Sequence, residues 1–395
     1  MTKQQIPGFV RAFCLLVMAA TPVLGQQLAT EIGAGRFIEV TIPAPSLAGN
    51  LLGDPTEQPV SIYLPPSYDS SPNNRYPVLY LLHGFTGTNR TWIADSEPNS
   101  GEAPPESPDG DYGYRGYLDG ANLDTMIASS AVHEMIVVAP NSRNAYKHSY
   151  YVNSVVTGNW EDYIVRDVVN YVDGNFRTLA KAESRGIAGH SGGGYGSVYI
   201  GMRHADVFSA VYALSPCCLG PEFSMPPFTE SSNGELTALW QKVFSRLLEL
   251  TSKEELPGVS LSSPEDFFLN ESLAAGAAYS PNPDRPPLYS DYLYEERDGK
   301  LVRNEAAFEK RRAHSPFHML DEYKQNLLSL RGLYLDFGQY ELPDLASGNA
   351  EFSKALAERG IPHTLEIYAG GDHDNMIRER LETRVIAFFS DHLAF

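Results

Sequence analysis

Cysteine is scarce in this chain of 395 residues, which contains only three. One is Cys14, and the other two, Cys217 and Cys218, are adjacent. A disulfide framework needs several spaced cysteines, so the small disulfide-rich class is excluded. Adjacent cysteines can bond only in a strained ring. We therefore expect two thiols that either pack at a strand end or line a pocket. They lack the spaced histidine and cysteine partners of a zinc site.

Basic residues are also in deficit, with 30 Lys and Arg against 49 Asp and Glu and a formal net charge of -19. A surface of this sign repels nucleic acid, so no nucleic-acid partner is expected. The sequence contains no H-E-x-x-H motif or equivalent ligand spacing. We predict neither a metal nor any other cofactor.

No apolar run in the chain is long enough to span a bilayer comfortably, so no membrane span is expected. The apolar run from Phe13 to Leu24 follows Lys3 and Arg11 and precedes Gly25. A basic start, a short apolar middle and a small exit residue are typical of a cleavable secretory signal peptide. We predict a signal peptide over residues 1–25 and a secreted or periplasmic mature protein.

Short apolar runs alternate with helical patterns through most of the remaining chain. Five runs have the length of strands buried on both faces: 76–84, 134–140, 184–190, 209–216 and 331–338. Apolar residues at helical spacing occupy 159–176, 348–360 and 378–393. This alternation predicts the α/β class, with a mostly parallel central sheet and helices on both faces. Residues 36–44 and 58–69 predict an antiparallel edge.

Two insertions interrupt the alternation in a single predicted domain over residues 26–395. Residues 95–119 are rich in Glu, Asp, Pro and Gly and predict a long surface loop. Residues 219–320 separate two strands by far more than a usual loop and contain a helix near Glu235 to Leu250. This second insertion is either a surface elaboration or a cap over a site, and its position favours the cap.

The segment RGIAGHSGGGYGS, Arg185 to Ser197, predicts a strand, a sharp turn and a helix around Ser191. It fits G-x-S-x-G, in which the serine takes strained backbone angles and its hydroxyl stands clear of the sheet. The glycines around it cost conformational entropy but allow close approach of strand and helix. The amide N–H of Gly192 then lies at the positive end of a helix, where an oxyanion could bind. Ser191 is the predicted nucleophile.

A serine hydroxyl needs a base to act as a nucleophile. With a G-x-S-x-G motif the chain order is serine, then acid, then histidine, so the base should lie late in the sequence and after the acid. His373 lies in the loop YAGGDHDN between a predicted strand and the last helix. The acid should follow the penultimate strand, where LYLDFGQYELPD offers Asp336, Glu341 and Asp344. Spacing does not choose among the three. The loop LLHGFTG offers the Phe85 N–H as a second oxyanion donor.

These motifs together resemble the putative esterase family of α/β-hydrolases, which includes enterochelin esterases, feruloyl esterases, S-formylglutathione hydrolases and mycolyltransferases. The segments that carry the resemblance are VSIYLPPSYD, YPVLYLLHGFTG, NWEDYIVRDVVNYVDGNFRT, IAGHSGGGYGS, GLYLDFGQYELPD and YAGGDHDN. The resemblance implies the α/β-hydrolase fold. It also implies Ser191 as nucleophile, His373 as base and Glu341 as acid.

The resemblance further implies Phe85 and Gly192 as oxyanion donors and Trp160 as a residue that lines the substrate pocket. The family usually has aspartate at the acid position, so Glu341 is a departure and Asp336 and Asp344 stay alternatives. The predicted function is an exported serine esterase that forms an acyl-enzyme on a small-molecule or polymer-linked ester. The alternatives are an acyltransferase with the same triad and a non-catalytic binding protein on a hydrolase fold.

Overall fold

A computed structural model describes residues 34–93, 116–221, 234–256, 263–298 and 300–395. The predicted signal peptide over 1–25 and most of the predicted loop over 95–119 lie outside the described residues. None of the helices in these ranges combines the length and the hydropathy of a transmembrane segment.

The core of the fold is a sheet of eight strands. In chain order these are β1 (Arg36–Pro43), β2 (Glu57–Leu64), β3 (Val78–Leu82), β4 (Ile136–Pro140), β7 (Arg185–His190), β8 (Ala210–Leu214), β11 (Gly332–Gly338) and β12 (Thr364–Tyr368). Their order across the sheet is β1-β2-β4-β3-β7-β8-β11-β12. The first two strands run antiparallel to their neighbours, and the pairs from β4 to β12 are all parallel.

The five apolar runs in the sequence are therefore confirmed as strands, and so is the antiparallel edge. All residues of β3, β4, β7 and β8 are buried, because helices cover both faces of the sheet. Strands of this kind have no solvent face and so show no alternation of polar and apolar residues. Since the central strands are parallel, their carboxyl ends lie at one edge of the sheet, which is where ligands bind in such folds.

Eight helical segments or groups of segments lie in the part of the chain that the structure describes, besides two short helices. They are α1 (Gly120–Ala128), α2 (Trp160–Asp162, a π-helical Tyr163–Val168, and Val169–Asn175), α3 (Gly192–Arg203), α4 (Gly234–Glu249), α5 (Pro264–Tyr279), α6 (Glu305–Arg312), α9 (Pro343–Glu358) and α10 (Ile377–Arg380, a π-helical Leu381–Val385, and Ile386–His392). Two short helices, α7 (Pro316–Met319) and α8 (Lys324–Ser329), lead into β11. The three helices of the alternating pattern are confirmed, with α9 beginning five residues earlier than the pattern indicated. The helices predicted after Ser191 and near Glu235 to Leu250 are confirmed as α3 and α4.

The described part of the long insertion is folded rather than irregular. It contains α4, α5, a hairpin of β9 (Tyr294–Arg297) and β10 (Lys300–Arg303), α6 and α7. A second small hairpin, β5 (Asn153–Ser154) with β6 (Gly158–Asn159), precedes α2. Ser154 Oγ of this hairpin donates to the Ala277 carbonyl oxygen of α5 at 2.7 Å. The insertion is thus anchored on the segment between β4 and α2.

Candidate active site

Ser191 lies in the sharp turn between β7 and α3. Its backbone angles, φ 56° and ψ -117°, are sparsely populated for a residue with a side chain. The turn is held by its own backbone, because the Ser191 N–H donates to Leu214 O at 3.0 Å and the Ser191 carbonyl accepts from Cys217 N at 3.1 Å. The strained angles therefore persist because the neighbouring strand end over-determines them.

The glycines of the motif are required by close approach. A Cβ on Gly189 would lie 2.3 Å from the Gly193 carbonyl oxygen, and a Cβ on Gly193 would lie 2.1 Å from the Leu82 carbonyl oxygen. Both contacts are with backbone, which cannot move aside cheaply. This sharp turn around Ser191, the elbow, can therefore pack against β3 only if both positions lack a side chain.

His373 connects Ser191 to a carboxylate. Its Nε2 lies 3.0 Å from Ser191 Oγ, and its Nδ1 lies 2.9 Å from Glu341 Oε1. A carboxylate only accepts, so Nδ1 carries the proton and Nε2 is left to accept from the serine hydroxyl. The Glu341 side chain is fully buried, whereas the His373 ring keeps a 19% exposed fraction. The predicted Ser191, His373 and Glu341 are thus brought into one chain of hydrogen bonds.

The other two carboxylates that the sequence offered lie elsewhere. Asp336 is fully buried and its Oδ2 accepts from Tyr212 OH at 2.7 Å and Arg380 Nε at 2.8 Å. Asp344 is exposed in the first turn of α9. Glu341 reaches the imidazole because its own N–H donates to Gly338 O at 3.0 Å, which forms a tight turn directly after β11.

The His373 pKa is set by opposing effects. Burial lowers the pKa of this ring. The hydrogen bond and charge of Glu341, together with the charges of Asp372 and Asp374, raise it by more than burial lowers it. The net pKa of His373 therefore lies above its usual value. Burial likewise raises the pKa of Glu341, and the His373 hydrogen bond and charge outweigh it and bring that pKa below its usual value. The pair is therefore arranged to hold a proton on the imidazole and a charge on the carboxylate.

The two predicted oxyanion donors belong to segments that adjoin Ser191. Gly192 begins α3, where an N–H has no intrahelical acceptor. A Cβ on Gly84 would lie 3.2 Å from Ser191 Cβ, so the loop after β3 runs beside the nucleophile. The N–H of Phe85, the next residue, donates to no acceptor among the described residues. The Gly192 amide thus lies at the positive end of α3, and the Phe85 amide follows a loop residue that packs against Ser191.

Sequence reasoning missed the loop His148–Tyr151, which packs against Gly192. A Cβ on Gly192 would lie 2.8 Å from His148 Cε1. His148 Nδ1 accepts from Tyr150 N at 3.0 Å, and burial lowers the pKa of this ring to about 3, so it is neutral. Lys147, Tyr150 and Tyr151 all have positive φ. Such strain is concentrated at functional sites, but no residue spacing in the sequence signals it.

Two side chains and one backbone carbonyl of the long insertion reach this site. Phe267 of α5 packs edge-on against Phe85, with ring centroids 5.3 Å apart. Glu271 Oε1 accepts from Tyr150 OH at 2.7 Å, and the His314 carbonyl accepts from Tyr195 OH at 2.8 Å. The insertion therefore lies against the loop after β3, against the loop that contains Tyr150 and against α3.

Trp160 and the cysteine pair have packing roles in this structure. Trp160 is fully buried, donates from Nε1 to the Thr157 carbonyl oxygen at 2.7 Å and packs edge-on against Tyr163. Complete burial argues against the predicted direct contact with substrate. Cys217 and Cys218 are free thiols with sulfurs 2.7 Å apart at the end of β8. Among the described residues, no group of three or more His, Cys, Asp or Glu could hold a metal ion.

The model of the putative esterase family matches residues 55–265, more than half of the chain. The chain belongs to the putative esterase family. The match spans β2 to the first turn of α5 and includes Ser191, Gly192 and Phe85. His373 and Glu341 lie beyond the matched segment, and hydrogen bonds in the three-dimensional structure connect both to Ser191.

Curated relatives of the family are similar to this chain over part of its length. An esterase of Mycobacterium tuberculosis is 26% identical over 236 residues, which cover 57% of this chain and 43% of that protein. An S-formylglutathione hydrolase of Arabidopsis thaliana is 30% identical over 166 residues, covering 40% of this chain and 50% of that protein. The chain thus spans half or less of the length of these relatives.

A solved structure of a ferulic acid esterase shares the fold, with a TM-score of 0.58 and 19% identity over 91% of this chain and 98% of that one. Together with the parallel sheet and its helices, this similarity shows the α/β-hydrolase fold that the sequence predicted.

Proposed function

We propose that this chain is a serine carboxylic-ester hydrolase in which Ser191 is the nucleophile, His373 the general base and Glu341 the acid that orients it. One observation carries the proposal. The His373 ring lies within 3.0 Å of Ser191 Oγ on one nitrogen and within 2.9 Å of Glu341 Oε1 on the other. Nucleophile, base and orienting acid in this order are what acyl transfer by a serine requires.

In the first half of the reaction Ser191 Oγ attacks the ester carbonyl carbon while its proton passes to His373 Nε2. The carbonyl oxygen becomes an oxyanion, for which the N–H groups of Phe85 and Gly192 are the proposed donors. Glu341 stabilises the imidazolium that forms. Collapse of the tetrahedral intermediate breaks the bond to the alcohol oxygen, which takes the proton from His373 and departs, leaving an acyl-enzyme.

In the second half a water molecule replaces the alcohol. His373 Nε2 takes a proton from the water as its oxygen attacks the acyl carbon, and the same two amides bind the second oxyanion. Breakdown of this intermediate returns the proton to Ser191 Oγ and releases the carboxylic acid. The enzyme is then restored with no net change in its protonation.

We also propose that the insertion over residues 219–320 acts as a cap on this site. The contacts of Phe267 and Glu271 with the site loops and of His314 with α3 support this role. Phe85 and Phe267 form an apolar wall beside the proposed oxyanion donors, which favours an ester with an apolar group on that side. A small-molecule ester and an ester on a polymer are both compatible with such a wall.

The test is hydrolysis of p-nitrophenyl acetate by purified protein and by Ser191→Ala. We expect the wild type to release p-nitrophenol and to be labelled by a fluorophosphonate at Ser191, whereas Ser191→Ala does neither. Turnover by Ser191→Ala at the wild-type rate would overturn the proposal. A labelled serine with no turnover on any ester of a broad panel would favour a binding protein. Product analysis with an added alcohol acceptor separates water from alcohol as the second substrate.

We further propose that residues 1–25 are a signal peptide and that the mature protein is secreted or periplasmic. The basic, apolar and small-residue pattern of this segment supports export. Expression of the full chain in a Gram-negative host, followed by N-terminal sequencing of the periplasmic fraction, tests it. We expect the mature chain to begin near Gln26, and an intact N-terminus in the cytoplasm would contradict the proposal.

A further inference from the structure

His190, the residue before the nucleophile, makes a contact that the reaction scheme does not use. Its Nε2 lies 2.7 Å from the backbone carbonyl oxygen of His373. A carbonyl oxygen only accepts, so Nε2 carries the proton and donates it. The elbow therefore holds the backbone of the residue whose side chain reaches Ser191, although the two histidines are 183 positions apart in the chain.

The His190 ring is neutral, so it carries one N–H, and that N–H is on Nε2. Burial, reinforced by the charge of His373, lowers the pKa of His190 to about 4, against the opposing charges of Asp374 and Glu341. The rings of His190 and His373 lie 5.0 Å apart. Two imidazolium ions at that separation would repel each other, so a neutral His190 leaves His373 free to take up the proton of Ser191.

The loop that contains His373 is held in place by hydrogen bonds to neighbouring segments. The loop lies between β12 and α10, and Gly370 and Met376 near its two ends have φ of 75° and 60°. On one side Tyr340 N donates to Gly371 O at 2.7 Å, which ties the loop to the segment that contains Glu341. His190 ties it to the elbow. The loop is thus fixed between the segments that hold the other two groups of the site.

We propose that His190 is a positioning residue, whose Nε2–H holds the His373 backbone so that the His373 ring stays within hydrogen-bond distance of both Ser191 and Glu341. This inference rests on the proposed hydrolase function and adds a fourth side chain to it. Reacting groups lose rate steeply when they are displaced, with a misplacement of ~1 Å costing on the order of 100-fold. His190 contributes no proton to the reaction itself.

Two substitutions at this position form a matched pair. His190→Gln keeps an N–H near the place of Nε2, whereas the side chain of His190→Asn is one methylene shorter and its amide reaches only the place of Nδ1. Both are neutral and polar. Each variant is measured on p-nitrophenyl acetate, with active sites counted by fluorophosphonate titration and the fold checked by circular dichroism. His190→Ala replaces the Asn variant if that variant does not fold.

We expect His190→Asn to lower kcat per titrated site by ~10- to 100-fold with KM within about 3-fold of the wild type. Its acid limb of kcat/KM should move to lower pH, because a loosened loop weakens the contact of His373 with Glu341. His190→Gln should stay within about 3-fold of wild-type kcat, with an unshifted limb. A merely structural role would change the number of titrated sites and leave this limb in place.

Two results would overturn the proposal. One is a His190→Asn or His190→Ala variant with the kcat and pH profile of the wild type. The other is a His190→Gln variant as impaired per titrated site as His190→Asn. Ser191→Ala in the same assay separates this failure from that of the reaction scheme, because an active Ser191→Ala variant would contradict the hydrolase function, whereas an inactive one leaves it standing.

Discussion

The carboxylate of Glu341 accepts a hydrogen bond of 2.9 Å from the imidazole of His373, which is 32 positions later in the chain. The carboxylate is fully buried and the imidazole is not, so the contact sits at the inner end of the site. Because a buried carboxylate stabilises an adjacent imidazolium strongly, this pair controls both the tautomer and the basicity of the proposed base. The first two predictions concern it.

Replacement of the Glu341 carboxylate by an amide tests the effect of its charge, because the length of the side chain stays the same. We expect Glu341→Gln to lower kcat by on the order of 10²- to 10⁴-fold, because the amide cannot stabilise the imidazolium or enforce its tautomer. The acid limb of kcat/KM should move to lower pH, since the charge that raises the His373 pKa is gone. Asp344→Asn is the control, because Asp344 is exposed in α9 and should leave both quantities unchanged. Equal losses in the two variants would refute the assignment of the acid.

The pH dependence of the wild type follows from the same pair. The proposed reaction needs a neutral His373, and the pKa of this ring is raised above its usual value of 6.5 by Glu341, Asp372 and Asp374 in spite of burial. We expect kcat/KM to fall as pH decreases through a value above 6.5. His83, His148 and His190 do not contribute to this limb, because burial lowers their pKa values to about 4, 3 and 4. A limb at or below pH 6.5 would be inconsistent with this environment.

The close approach at the elbow predicts opposite effects for two glycine substitutions. Gly193→Ala would place a Cβ 2.1 Å from the Leu82 carbonyl oxygen, so we expect loss of folding or of fluorophosphonate labelling. Gly174→Ala is the matched control, because a Cβ there meets no atom within 4 Å and alanine is favoured over glycine in a helix by up to about 1 kcal/mol. Urea unfolding and labelling of both variants test this. A labelled and stable Gly193→Ala protein would contradict the geometry of the turn.

Asp336 should matter for stability and not for the reaction. It is fully buried and accepts hydrogen bonds from Tyr212 and Arg380, while Arg380 also binds Glu366 at 2.7 Å. We expect Asp336→Asn to lower the free energy of unfolding by about 3 kcal/mol, because it leaves part of a buried ion network uncompensated. Its kcat per titrated site should stay within about 3-fold of the wild type. A large loss of kcat per site with unchanged stability would instead make Asp336 part of the reaction.

The contact between Phe267 and Phe85 predicts how the cap acts. We expect Phe267→Ala to raise KM for p-nitrophenyl butyrate more than it lowers kcat, because it removes apolar surface beside the site without touching the reacting groups. Phe395→Ala, at an exposed position, controls for the loss of an aromatic ring. A change confined to kcat, or no change at all, would show that the insertion does not border the substrate.

The order of the site residues along the chain could be predicted because it depends on local patterns. Buried parallel strands are short apolar runs, the elbow needs glycines on both sides of Ser191, and a loop before the last helix brings His373 to the same sheet edge. These features are properties of a few consecutive residues. For the same reason the parallel sheet, its antiparallel edge and the order of serine, acid and histidine were all accessible from sequence.

Only the tertiary structure decided which carboxylate meets His373. Asp336 and Glu341 are five positions apart, but Asp336 lies within β11 and turns to Tyr212 and Arg380, whereas Glu341 lies past the tight turn at Gly338 and faces the imidazole. The positions of His148, His190 and Glu271 in the site could not be predicted from the sequence either. Each depends on segments that are distant in the chain and pack together, so no pattern of neighbouring residues encodes them. Sequence determined which groups the site could use, and packing decided which of them touch.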